Sequence, residues 1–328
     1  MKAVLTGKNR NLSWEEVPTP KISEKEVLIK VAYAAVNRAD LLQREGNYPP
    51  PPGCPEWLGL EVSGVIVAAG DLAKAAGAKI GAKVCALLGG GGYAEYVAVR
   101  YDMTMPIPKG CSMAEGAALP EAFATAYLNL FIEGNLKPGD VFLMHAGASG
   151  LASVVIPMAK AFGAYVVTTI IDEEKRAAVE KTGADRIVNT KTEDIVKVLT
   201  ELDEAGTPVK LAIDCLGGEV MGKCLPHLAY MAKWIMIATL AGDFSSVDMR
   251  KLYVRNVRLI GSTLRSKPED TKAEILRLLV RDIWKKVSAG EIRPVIFRIL
   301  PITKAEEAHA LLSEGKSAGK VVLEVEAM

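Results

Sequence analysis

Residues Val141 to Ala164, VFLMHAGASGLASVVIPMAKAFGA, decide the fold. The apolar run ending at Met144 or His145 reads as a buried strand, Ala146 to Ala152 as a turn of small residues, and the rest as an apolar helix. Small residues in such a turn let backbone amides approach a pyrophosphate, whose charge the N-terminus of the following helix favours. On this reading Gly147 and Gly150 supply backbone angles closed to other residues, Ser149 supplies a hydroxyl, and Ala148 and Leu151 complete the turn. Two features depart from the simplest pattern. Ala152 stands where a close-packing glycine is usual, and Pro157 lies inside the helix. Proline there removes one amide bond and meets the carbonyl of Ser153, at a cost of about 3 kcal/mol, so a kinked helix with an intact first turn is predicted. A tight turn that binds nothing is the competing reading of this motif alone.

The context on both sides strengthens the nucleotide reading. Downstream, AYVVTTII (164–171), DRIVNT (185–190), KLAIDCLGG (210–218) and KWIMIATLAG (233–242) are short apolar strands with helical stretches such as EEKRAAVEKTG between them. Strands alternating with helices imply a doubly wound parallel sheet with right-handed crossovers. Upstream, EVLIKVAYAAV, LEVSGVIVAAG, AKVCALL and YAEYVAV are strands separated by turn-rich segments such as GNYPPPPGCPEW, so the first part of the chain reads as an irregular, mostly β domain. After Gly261 a charged helix, the strand PVIFRILPI, a short helix and KVVLEV close the chain. The expected class is α/β, with residues 1–120 as a first domain segment, 121–262 as an inserted nucleotide domain and 263–328 returning to the first domain.

Composition narrows the class of function. Lysine plus arginine number 40 against 39 aspartates plus glutamates, a formal net charge of +1, so no basic footprint for nucleic acid or an anionic membrane is present. No secretory leader is visible, and no apolar run reaches the about 18–20 residues that a membrane helix needs. A soluble cytoplasmic protein is expected. The five cysteines form no C-x-x-C pair and there are three histidines, so no metal is expected.

The segments VNRADLLQREGNYPPPPGCPEWLGLEVSGVI, GGYAEYVAV, MHAGASG, DCLGG, GSTLRS and GKVVLEV resemble, in this order and over nearly the whole chain, the zinc-independent quinone oxidoreductase branch of the medium-chain dehydrogenase/reductase family. The resemblance implies a GroES-like catalytic domain, an inserted Rossmann domain, a cleft between them, a homodimer, and NADPH-dependent reduction of a quinone or a related enone. Zinc alcohol dehydrogenases of the same family carry a metal-binding cysteine where Asn37 stands here and a histidine beside the glutamate at Leu60-Glu61; both are absent. In the quinone reductases the segment matching Asn37, Asp40 and Tyr48 lines the substrate side. Asn37 and Tyr48 are expected to donate hydrogen bonds to an acceptor oxygen as it gains charge, and Asp40 to brace the loop or Arg44. Thr125 matches a nicotinamide contact, with a helix hydroxyl bonded to the backbone as its alternative. Leu216, Leu264, Arg265 and Lys320 fall at positions facing the cofactor, with surface charge as the alternative for the last two.

The choice of nicotinamide cofactor is left open by the sequence. Relatives that take NADPH show a Gly-Ser-like pair, a lysine and a tyrosine beyond the second strand; here stand Ile171-Asp172, Lys175 and Thr190. Asp172 lies about 20 residues beyond the phosphate turn, where an acidic residue bonds the ribose of NAD. It also suits a helix N-cap. NADPH is the expectation, with NADH as the alternative, and a nucleotide-binding redox sensor or structural protein with little turnover as the rival function.

Overall fold

The computed structural model describes residues 1–315 and 317–326. The chain divides into two compact units, one formed by Met1–Ala124 with the chain from Arg265 onward, the other by Thr125–Leu264.

In the first unit a seven-stranded sheet runs in the order Ile296–Pro301, Lys320–Glu324, Glu26–Ala35, Glu61–Ala69, Lys83–Leu87, Thr104–Pro106, with Tyr96–Arg100 also paired to Glu26–Ala35. The central strand, EVLIKVAYAA, is long and largely buried, and three neighbours use it. Gly64 lets one of them approach: a Cβ there would stand 2.1 Å from the Lys30 carbonyl oxygen. Register positions the chemistry. Val322 pairs with Ala35 and Leu323 with Ala34, so the antiparallel progression carries Lys320 to the level of Asn37. On the other side Ala34 pairs with Val62, which brings Glu61 level with Ala35. Three polar residues far apart in sequence thus meet at one end of an apolar sheet.

The second unit holds a six-stranded sheet, entirely parallel, in the order Arg186–Asn189, Tyr165–Ile170, Val141–Met144, Val209–Asp214, Lys233–Met236, Arg258–Gly261. Numbered along the chain this is 3-2-1-4-5-6, the doubly wound Rossmann order. All four residues of the first strand are buried, as a strand covered on both faces requires. The helix Ala152–Ala161 runs through Pro157, and Ala152 is fully buried. Before the first strand the chain forms the helix Pro120–Tyr127 followed by a wider π-helical segment, Leu128–Glu133. Asn129 Nδ2 donates to the Thr125 carbonyl there, at 2.8 Å. Among the described residues no helix is long and apolar enough to cross a membrane.

Candidate active site

In the second unit the turn after Val141–Met144 is fixed from both flanks. The amide of Gly147 donates to the Thr169 carbonyl at 2.8 Å, that of Ala146 to Thr169 Oγ1 at 3.2 Å, and that of Ala152 to Ser149 Oγ at 3.1 Å. Among the described residues no acceptor takes the amides of Ala148, Gly150 and Leu151. Three unspent N–H groups opening a helix of ten residues fit the oxygens of a pyrophosphate. One expectation is corrected here. Neither Gly147 nor Gly150 takes a left-handed angle; the residue that does is Ala146, at φ 56°. Gly147 is required for space instead, because a Cβ there would stand 2.4 Å from Thr168 Oγ1.

At the tip of the second strand Asp172 occupies the N-cap position of a short turn, but its carboxylate caps nothing. It pairs with Lys175 at 3.4 Å and Lys191 at 3.3 Å, and these two ammonium groups hold it below the ordinary carboxylate range. Lys191, which the sequence expectations leave out, gives Asp172 a second cationic partner. The Thr190 hydroxyl turns back to the Ile170 carbonyl. Leu216 donates its amide to Asp214 Oδ1 at 2.7 Å, and Leu264 is buried. Thr125 is half-buried.

In the first unit Asn37 heads the helix Arg38–Arg44. Its side-chain amide donates to the Ala35 carbonyl at 3.3 Å and to Glu61 Oε1 at 3.0 Å, while its Oδ1 accepts from Lys320 Nζ at 2.6 Å. An amide NH2 has two hydrogens, and both meet acceptors inside the protein, where the sequence expectation gives one to an acceptor oxygen. Lys320 is no surface charge. It is 5% exposed and forms an ion pair at 2.7 Å with Glu61, which is fully buried.

Asp40 is fully buried and accepts from the amides of Asn37 (2.8 Å) and Gly59 (2.9 Å) and from the Tyr93 hydroxyl (3.2 Å). It braces the loop; Arg44 pairs with Glu306 instead. Arg265 is likewise buried. Its guanidinium donates to Gly89 O, Tyr48 O and Gln43 Oε1 and lies 5.1 Å from the centre of the Tyr48 ring. It therefore positions Tyr48, whose half-buried hydroxyl makes no hydrogen bond with the described residues.

Burial pushes Asp40 up to about 6, partly offset by its amide donors. Half-buried Glu121 is pushed up to about 7 by burial and the nearby Glu61 charge, with Lys320 and Arg265 opposing. Between its ordinary value of 4.5 and about 7 the folded protein holds a proton on Glu121 that the unfolded chain releases. Stability is therefore expected to fall as pH rises through that window. Urea unfolding at about pH 5 and pH 8 is expected to show a smaller fall in Glu121→Gln than in the wild type; equal falls would assign the effect elsewhere.

Asn37 Oδ1 and Glu61 Oε1, at the residues that the sequence compares with the zinc relatives, are engaged by the Lys320 ammonium group. Among the described residues no group of three or more histidine, cysteine or acidic side chains is arranged to hold a metal ion.

This fold and these sites match known proteins. Residues 23–109 match the family model described as alcohol dehydrogenase GroES-like domain, and residues 150–281 the one described as zinc-binding dehydrogenase. A quinone oxidoreductase of Mus musculus is 28% identical over 310 residues, spanning 94% of this chain and 91% of the relative. The quinone oxidoreductase of Thermus thermophilus, solved also in complex with NADPH, superposes with a TM-score of 0.82 at 28% identity, covering 99% of this chain and all of that one. A solved NAD-dependent alcohol dehydrogenase gives 0.83 at 28% identity, with 99% and 100% covered. The chain belongs to the medium-chain dehydrogenase/reductase family and is quinone oxidoreductase-like.

Proposed function

We propose that the protein is an NADPH-dependent reductase of a conjugated carbonyl, a quinone or an enone. The observation that carries this reading is the set of unspent amides of Ala148, Gly150 and Leu151 at the head of the helix after the first parallel strand. When bound, the nicotinamide supplies a hydride, and the acceptor oxygen, which gains charge, takes a proton. The chain orients both partners. The turn holds the pyrophosphate, and the Tyr48 hydroxyl, positioned by Arg265, donates to the acceptor oxygen. The relatives named quinone oxidoreductases support this acceptor class.

NADPH is favoured over NADH because Lys175 and Lys191 outnumber Asp172. A charge-assisted contact contributes about 1.5–3 kcal/mol, so Lys175→Ala and Lys191→Ala are each expected to weaken NADPH binding about ten-fold or more while leaving NADH nearly unchanged. Asp172→Asn shifts the preference further toward NADPH. Nicotinamide fluorescence titrations measure all three, and a wild type that prefers NADH would overturn the assignment.

We further propose a homodimer joined across the edge strand Arg258–Gly261, where Tyr253, Val254 and Leu259 are exposed apolar side chains. Sedimentation is expected to give a dimer, and Leu259→Glu a monomer; an unchanged dimer in the variant would move the interface elsewhere. The five free cysteines, three of them buried, suit a reducing cytoplasmic setting.

A further inference from the structure

We infer that the Lys320 ammonium is a hydrogen-bond donor to the substrate's acceptor oxygen, held for that task by Glu61 and Asn37. The inference rests on the reductase reading above and assigns to Lys320 the part expected of Asn37. Sheet register carries Lys320 to Asn37, and its Nζ lies 2.6 Å from Asn37 Oδ1 and 2.7 Å from Glu61 Oε1. An ammonium has three N–H donors, and among the described residues two acceptors engage this one. Asn37 has no donor left, because its amide hydrogens serve Ala35 and Glu61.

Burial at 5% exposure makes this cation costly to keep, since an apolar pair of the same size is often as stable as a buried ion pair. The charges around it explain its use. Glu61 holds it through Oε1, and the other oxygen of Glu61 accepts the Glu121 amide at 2.9 Å. Asn37, which accepts from Lys320, heads the helix that carries Gln43, whose Oε1 accepts from Arg265, the residue that positions Tyr48. Lys320, Glu121 and Tyr48 are thus joined by one hydrogen-bonded framework of the first unit. A donor fixed in a water-poor setting stabilises charge that develops on an enolate or phenolate oxygen far more than the same donor in water.

The test uses 4-nitrophenolate as a mimic of the anionic product, followed by its own absorbance, alongside quinone reduction and NADPH fluorescence titration. Lys320→Met strands the Glu61 charge, so the decisive variant is Glu61→Gln with Lys320→Met, which removes both charges together. This pair is expected to lower kcat with 1,4-benzoquinone about 100-fold or more and 4-nitrophenolate affinity about ten-fold, with NADPH affinity changed less than about two-fold. On the wild type, bound nitrophenol is expected to ionise at lower pH than free nitrophenol, a measurement that needs no variant. A wild type that binds neutral nitrophenol in preference to the anion, or binds neither, overturns the inference. So does a folded double variant with unchanged turnover and phenolate binding. A wild type that binds NADPH but reduces no quinone overturns the reductase reading instead, and the phenolate comparison still decides the role of Lys320.

Discussion

Gly147→Val is expected to weaken NADPH binding about 100-fold while leaving the helical content intact. Even the first atom of a side chain at this position would stand 2.4 Å from Thr168 Oγ1 and 3.0 Å from Thr168 Cγ2. Thr168 cannot yield easily: it is fully buried in the second strand, and its hydroxyl donates to the Met144 carbonyl at 2.7 Å. Gly147 is itself tied to Thr169. Relief therefore comes from moving the turn, which displaces the amides of Ala148, Gly150 and Leu151. Overpacking of this kind costs about 1–3 kcal/mol of stability, tolerable for a domain of this size. The loss of affinity is expected to reach about 100-fold, since several charge-assisted bonds of about 1.5–3 kcal/mol each lose their geometry together. Nicotinamide fluorescence reads the binding and circular dichroism the fold. Wild-type affinity in Gly147→Val would place the phosphates away from this turn.

The second large effect concerns stability. Glu61→Ala removes the counter-ion of Lys320 and the acceptor of two further donors, Asn37 Nδ2 and the Glu121 amide at 2.9 Å. An uncompensated buried charge costs about 3–5 kcal/mol, so the urea midpoint of this variant is expected to drop sharply. Glu61→Gln keeps one oxygen, which serves Lys320 and Asn37 Nδ2 where both now meet Oε1, and leaves the Glu121 amide without its acceptor, so a smaller loss than in Glu61→Ala is expected. A change below about 1 kcal/mol in Glu61→Ala would mean that Lys320 finds water or another partner when Glu61 is gone.

Much of this architecture was legible in the sequence because it is written in local patterns. The apolar runs from Val141 onward, spaced by helical stretches, are short enough and regular enough to specify a parallel sheet. The small-residue turn announces a close backbone approach whatever its detail. What escaped is what depends on register and on side-chain competition. Nothing local to GKVVLEV says that Lys320 stands level with Asn37, because that follows from pairing two strands nearly three hundred residues apart. Glu61, which pairs with Lys320, also takes a hydrogen of the Asn37 amide. Glu61, a carboxylate inside the apolar run LGLEVSGV, was the available signal: a charge in a buried strand requires a partner. Lys191 escaped for the same reason, since its proximity to Asp172 arises only when the second and third strands lie side by side. The left-handed angle at Ala146 broke the usual rule that glycine takes such positions, because steric space against Thr168 claimed the glycine at 147.

The most direct test of the whole account is the oxidation of NADPH by the purified protein with 1,4-benzoquinone as acceptor, followed by loss of reduced-nicotinamide absorbance and repeated with NADH. Quinone-dependent oxidation with saturation in NADPH is expected, with a lower kcat/KM for NADH. Oxidation of neither nucleotide above the rate without protein would contradict it.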